Sequence, residues 1–480
     1  MRFKLVETIT VLQPLVELGD PHVCDDDKSR RSIIRAMYES LVERDETSLY
    51  IPALAKSWHV SDDARTWVFR LRDEVRVHYG GVIKAKDVLG SIRRSMDPSL
   101  GGALGTQGLY QSYLGDAELQ ELDNQTVRIV TKQPFADLLD LLVEIPIVSM
   151  DAISNAIETA GSGPYRLLSR REGEVIMESF PDYWRGKPAA GRVQWIVEPD
   201  ETKRIQALRD GRADIVSGIT VAGKRTIENL HNASAITYKS SVCVIFMFNL
   251  LLERFNDTRV RQALNFALKK PELIASIKDG DAHELNGPLT PLHFGYDPLT
   301  PAYPYDLKKA RELLSDAGFS GAHIVLDVPI IHPDEAPRLA REMAKQYQEI
   351  GIQTEVKEFS DREAYAQTVR NKGWTGDLCC FDSSPLSTYR VLREKLHSAV
   401  RGPWWQGYTN QNVDTLVDQA QTTVDPSRRQ AIYRHAYRII RDDAPWLFLY
   451  NPNLHWGISN AVKRCKPGMD GLIHLPASFP

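Results

Sequence analysis

The sequence predicts an α/β fold built as at least two lobes, and three observations carry that prediction. Strand-like and helix-like patterns follow one another as strand, helix, strand in both halves of the chain, the order of parallel α/β units. At 480 residues the chain is too long for one ordinary domain. Its 42% hydrophobic and 25% charged residues are the balance of a globular protein that builds cores. The net charge of −4 lacks the basic footprint of a nucleic-acid binder. No apolar run approaches the ~20 residues needed to span a bilayer.

Taken in order, residues 3–13 alternate as a strand, and Ile33, Ile34, Met37, Leu41 and Val42 fall at helical spacing over 29–43. The runs 66–72 and 75–79 have period two, and a helix opens at Ala85 and continues through Arg94. A strand over 126–131 and a helix over 134–145 come next, then a Gly161-Ser162-Gly163-Pro164-Tyr165 turn into a strand pair. A helix from Lys203 stops near Gly211, ahead of a short buried strand. From residue 240 the composition turns strongly apolar. Asp257 is placed to cap one helix, since its carboxylate accepts orphan backbone N–H groups. Asp306 is placed to cap another, which ends on Gly318. A strand over 324–331, a helix over 335–351 and a strand over 352–359 complete one more α/β unit.

The five cysteines, Cys24, Cys243, Cys379, Cys380 and Cys465, are odd in number and lack metal-site spacing. Adjacent Cys379 and Cys380 point to opposite faces of a strand and read as small buried hydrophobes, which suits a reducing compartment slightly better than an oxidising one.

A series of short motifs then recurs in a known order. It runs Tyr38-Glu39-Ser40-Leu41, Ile51-Pro52-Ala53-Leu54-Ala55, Ser57-Trp58, Trp67 through Arg72, His78, Gly80 and Ala85-Lys86-Asp87-Val88. It continues with Gly161 through Tyr165, Asp182-Tyr183-Trp184, Leu208 through Asp214, Arg261 through Leu264, Gly287-Pro288, Gly407-Tyr408 and Asn412-Val413-Asp414. Over nearly the whole chain this resembles the family 5 extracytoplasmic solute-binding proteins of ABC importers, the class that takes up oligopeptides, dipeptides, nickel and opines.

The resemblance implies a two-lobed, type II periplasmic-binding-protein-like fold with an extra inserted subdomain. Lobe I would be 1–32, 161–240 and 449–480, the inserted subdomain 33–160 and lobe II 241–448, with hinge crossings near 240–244 and 447–451. It implies lobes that close over a small-molecule ligand and an ABC transporter membrane permease as partner. It also implies an extracytoplasmic monomer with no cofactor, no metal and no nucleic acid. The opening residues leave a cytoplasmic location as the alternative, because Glu7 interrupts what an export signal would keep apolar.

Four segments are expected at the ligand site by this resemblance. In the loop after the first strand, His22 and Cys24 are candidate ligand contacts, metal ligands or an acid–base pair, against a plain solvated loop. Peptide-binding relatives carry an Asp that pairs with the ligand's ammonium group. Here that is Asp382, or Asp377 in another register; the buried strand at 378–381 favours Asp382. Ser383 and Ser384 follow it, and Ser384-Pro385 fits the N-cap and first position of a helix. In the loop 402–408, Trp404, Trp405 and Tyr408 offer aromatic walls. Arg390 presents a planar fork to a carboxylate or phosphate, or pairs with Glu394 one turn on.

The leading expectation is capture, without chemistry, of a small polar organic ligand: a peptide, opine, sugar conjugate or modified amino acid. The alternative is a cytoplasmic enzyme, hydrolase or lyase, or an intracellular binder on the same fold. In it Asp382, Ser383 or Ser384 would act with His22. No Gly-x-Ser-x-Gly elbow, phosphate loop or His-Glu-x-x-His helix accompanies it.

Overall fold

A computed structural model describes residues 6–23, 27–45, 48–102, 108–155, 160–188, 190–319, 322–331, 333–383, 385–463, 465, 468 and 471–475. Two compact units emerge, Met1–Tyr238 with Leu454–Pro480, and Lys239–Asn453. The second change of unit falls within the long strand Trp446–Ser459.

In the first unit the strand Val6–Gln13 lies between Ala190–Val197 and Ile215–Ile219, parallel to both. The antiparallel hairpin Tyr165–Arg171 and Glu174–Ser179 extends the sheet beyond 190–197. Alternation decides which core each residue of Val6–Gln13 joins: Ile9 and Val11 pack with Val193, Trp195 and Ile215, whereas Leu12 faces Ile205, Leu208 and Val216. A separate antiparallel sheet, in the order Ala55–Val60, Thr66–Leu71, Thr126–Val130 and Glu118–Asp123, occupies the middle of this unit's sequence.

Arg204, buried in the helix Glu201–Arg209, fastens the end of the strand Ile215–Ile219. Its Nε donates to Ser217 O at 3.0 Å, and its terminal nitrogens to Gly218 O at 2.8 Å, Glu198 O at 2.6 Å and Pro199 O at 2.8 Å. Arg204→Met keeps the apolar stem and strips these donors from buried carbonyls. Urea unfolding is expected to show about 2–3 kcal/mol of lost stability; a loss under ~0.5 kcal/mol would mean that water replaces the fork without cost.

The second unit holds a mixed sheet ordered Gln353–Phe359, His323–Pro329, Leu378–Ser383, Cys243–Phe248 and the first part of Trp446–Ser459. The helix Ala336–Gln348 connects two parallel strands, as strand–helix–strand patterning predicts. Every residue of Cys243–Phe248 is buried. Val244, Phe246 and Phe248 join one core, and Cys243, Ile245 and Met247 the other. Cys379 and Cys380 divide between the same two cores, the opposite-face arrangement expected of neighbours on a strand.

Three expected elements differ. The first helix spans Lys28–Met37 and not 29–43, because Tyr38 turns extended and Val42–Arg44 instead pairs with Tyr50–Pro52. The 134–145 segment keeps only the helical turn Leu139–Leu142. Phe135, Leu138, Leu139, Leu141 and Leu142 are all buried; Phe135 N donates out to Ala64 O, while Leu138, Asp140 and Leu141 donate to the third residue back, the bonding of successive tight turns and not of a long α-helix. Residues 75–79 form an isolated bridge, Arg76 to Val82, and no strand.

Asp327 lies buried in the strand His323–Pro329 with Gly376 against its carboxyl; a Cβ at Gly376 would come within 2.5 Å of that group. Burial pushes Asp327 up to about 6, with the Lys357 charge and the Gly376 N–H opposing and Asp377 and Glu355 adding to the rise. The folded value lies above the ordinary 3.8, so folding favours the protonated form. That stabilisation is complete below about pH 4 and is lost as pH rises through about 6. Asp327→Asn, which cannot ionise, is expected to exceed the parent by roughly 1–3 kcal/mol at pH 8 and to lose the advantage toward pH 4. Parallel melting-temperature profiles for the two proteins across that range would contradict it.

Candidate functional site

The strand Leu378–Ser383 pairs along its whole length with Cys243–Phe248, but its parallel register with His323–Pro329 covers only Leu378 and Cys379. Its C-terminal end, where α/β sheets commonly meet ligands, is therefore laddered on one side. Asp382 is half-buried there. Ser383 is buried, with an Oγ that meets no partner among the described residues. Phe381 stacks on Tyr365 at 5.3 Å between centroids and meets Trp404 edge-on at 4.9 Å.

Two cations border this aromatic group. The Arg362 guanidinium lies 4.9 Å over the Phe381 ring, with one terminal nitrogen 4.0 Å from Asp382. The buried Lys395 ammonium lies 5.7 Å from the Trp404 ring centre. Burial lowers the Lys395 pKa, against the raising influence of Glu394, Cys243 and Asp382. One carboxylate, two cations and two aromatic faces thus share a patch of the second unit. It can hold an ammonium or hydroxyl group at Asp382 and a carboxylate at the cations.

The adjacent tryptophans diverge. Trp405 is buried, donating Nε1 to Tyr408 O at 2.6 Å, while Trp404 stays half-buried beside Phe381. Tyr408 is buried and donates its hydroxyl to Asp443 at 2.6 Å. Arg390 is buried, and its Nε pairs with Glu394 at 3.0 Å. Asp377 accepts from Val325 N at 2.7 Å and pairs with Arg254.

His22 belongs to the first unit, is buried, and has both ring nitrogens engaged. Nδ1 accepts from Arg94 Nε at 3.2 Å, which leaves the proton on Nε2 for Pro146 O at 2.9 Å. Burial lowers its pKa to about 4, the Asp20 charge opposing. A neutral ring so tied has no lone pair left for a metal or a substrate proton. Cys24 and Ser384 lie outside the described residues. Among those residues no group of three or more His, Cys, Asp or Glu side chains is placed to hold a metal ion.

The expected helix start at Ser384-Pro385 is corrected. The helix runs Thr388–Lys395, and its N-cap is Ser387, whose side chain accepts from Arg390 N at 3.2 Å. The His293 imidazole takes the Pro385 carbonyl at 2.8 Å, holding that residue outside the helix. Ser387 is the hydroxyl with a third-position N–H in reach.

The family model for bacterial extracellular solute-binding proteins, family 5 (middle region), matches residues 50–385. The chain belongs to this family. Members capture small ligands and deliver them to the permeases of ABC importers. This supports the expected type II fold and ligand capture, and lends nothing to the cytoplasmic-enzyme alternative. The glutathione-binding protein GsiB of Pectobacterium atrosepticum is 26% identical over 452 residues, spanning 91% of this chain and 86% of that protein. DppA of Helicobacter pylori, solved in complex with the peptide STSA, superposes with a TM-score of 0.79 at 24% identity, covering 98% of each chain. AgaA of A. tumefaciens R10, solved in complex with agropinic acid, gives 0.79 at 21% identity, over 98% of this chain and 99% of that one.

Sequence reasoning missed Arg362 and Lys395. Arg362 opens the helix Arg362–Arg370 behind the cap Asp361, and Lys395 closes Thr388–Lys395. Each reads locally as an ordinary charged residue at a helix end, and only the fold turns them onto Phe381 and Trp404.

Proposed function

We propose that this family 5 protein captures a small zwitterionic organic ligand of the peptide or opine kind outside the cytoplasm. Asp382 takes the ligand's ammonium group, Arg362 and Lys395 its carboxylate, and Phe381 and Trp404 its carbon skeleton. The observation that carries this reading is the convergence of these five side chains at the open end of Leu378–Ser383. The ligands named for relatives support it, since glutathione and the peptide STSA combine ammonium and carboxylate groups on short skeletons.

Mass spectrometry of material released on denaturing the purified protein tests the reading. An intact amino-acid-derived zwitterion is expected. Recovery of chemically transformed product after incubation with a bound ligand would defeat capture without chemistry. Asp382→Asn is expected to weaken an ammonium-bearing ligand about 10- to 100-fold, the worth of one charged hydrogen bond. The melting temperature of the empty protein should not change. A large fall in that temperature would make Asp382 a structural residue.

A further inference from the structure

The parallel strands His323–Pro329 and Leu378–Ser383 pair only at Leu326 with Leu378 and Asp327 with Cys379. Beyond those residues they part, each keeping its other neighbour. Val328 and Pro329 stay with Glu358 and Phe359, and Cys380 through Ser383 stay with Cys243 through Phe246. Tyr365 stands at the fork. Its hydroxyl shares its proton between Asp327 O and Cys380 O, each at 3.0 Å, so one side chain ties both strands where their pairing ends. We infer that Tyr365 is a positioning residue of the ligand patch, fixing the spacing of Phe381, Asp382 and Arg362 without touching the ligand. The role rests on the capture reading above, and every residue it needs lies in the second unit.

The ring is held as firmly as the hydroxyl. Tyr365 is buried between two other rings, 5.1 Å from Phe359 and 5.3 Å from Phe381 between centroids, with 23° between the planes of the second pair. Rings at such distances attract when stacked with an offset. A shift of Tyr365 is therefore passed directly to Phe381, the face offered to the ligand's carbon skeleton.

The same helix carries the cation. Arg362 and Tyr365 stand three apart at the start of Arg362–Arg370 and share one face of it. The Arg362 guanidinium lies 5.7 Å from the Tyr365 ring centre and 4.9 Å from that of Phe381. Asp361 accepts from Ala364 N at 2.9 Å, which fixes the first turn that bears both side chains. The Tyr365 hydroxyl is thus a polar tie between the helix that carries Arg362 and the strand that carries Asp382, and it helps set the 4.0 Å between them. A site that reads an ammonium and a carboxylate on one small molecule needs such spacings held to within about 0.5 Å. Burial pushes the Tyr365 pKa well above the ordinary phenol value, with Cys379, Cys380 and Asp327 adding to the rise and Arg362 opposing it. The hydroxyl therefore keeps the proton that makes the tie.

Isothermal titration calorimetry of the full chain with the peptide STSA and with reduced glutathione tests the role. Tyr365→Phe keeps the ring and removes the tie. It is expected to weaken the tighter of the two probes about fivefold or more. The loss should not add to that of Arg362→Gln: in that background Tyr365→Phe is expected to change affinity by less than about twofold, because the group it places is gone. Tyr347→Phe controls for stability. It removes another buried hydroxyl of the same unit, one that donates to Leu264 O at 3.2 Å, and should leave affinity at the parent value. Parent-like affinity in Tyr365→Phe, additive losses with Arg362→Gln, or equal weakening by Tyr347→Phe would each overturn the positioning role and leave the capture reading standing. A parent protein that binds neither probe would overturn both.

Discussion

Glu39→Ala is expected to lower stability by about 3–5 kcal/mol, read as a shift of the urea midpoint of tryptophan fluorescence. Glu39 is 4% exposed and joins three segments far apart in sequence. Its carboxylate accepts from Ser162 Oγ at 2.9 Å, Tyr183 Oη at 3.1 Å and Trp184 Nε1 at 2.8 Å, and lies 3.5 Å from Arg185 Nε. Burial raises its pKa, and the Arg185 charge opposes that rise. Truncation removes the acceptor for three donors and leaves the guanidinium, among the described residues, with Glu43 as its anion at 2.8 Å. Because the penalty comes from donors left unmatched, Glu39→Gln, which keeps one acceptor oxygen, should fall between Ala and the parent. A shift worth less than ~1 kcal/mol for Glu39→Ala would show that the network is incidental to folding.

Gly161→Ala is expected to cost about 3 kcal/mol or more and to cut soluble yield, because the clash is with backbone. A Cβ at Gly161 would lie 2.1 Å from Met37 O and 2.6 Å from the Tyr38 ring. A Cβ at Gly163 would also meet backbone, 2.6 Å from Met37 C. The chain approaches this closely because Gly163 N donates to Met37 O at 2.9 Å, and His78 N to Gly161 O at 3.0 Å. A side chain at 161 must part these strands of backbone, and no rotamer change relieves it. A parent-like urea midpoint for Gly161→Ala would refute the close approach.

The two predictions explain why the Tyr38–Leu41, Gly161–Tyr165 and Asp182–Trp184 motifs travel together. They are parts of one buried contact that holds the first unit, so they report fold and say nothing of ligand. The site is less legible. Asp382 and Trp404 stand out as a carboxylate at a strand end and an aromatic in a glycine- and proline-bounded loop, both local signals. Arg362 and Lys395 reach the same patch from helix ends, and nothing in their own surroundings marks them. His22 illustrates the converse: its chemistry drew attention in the sequence, and its neighbours Arg94 and Pro146 consume it.

Where a pattern is local, the chain alone settled the outcome. The period-two run 66–72 became the strand Thr66–Leu71, and Asp257 and Asp306 cap the helices Thr258–Phe266 and Leu307–Asp316. Alternation of side chains and reach to the first N–H groups are fixed by a few covalent bonds. Tertiary structure decided what depends on distant partners: that 134–145 keeps only a buried helical turn, that the helix after Pro385 is capped by Ser387, and that Arg362 and Lys395 meet Phe381 and Trp404. Burial and pairing belong to the assembled fold, and no short window of sequence contains them.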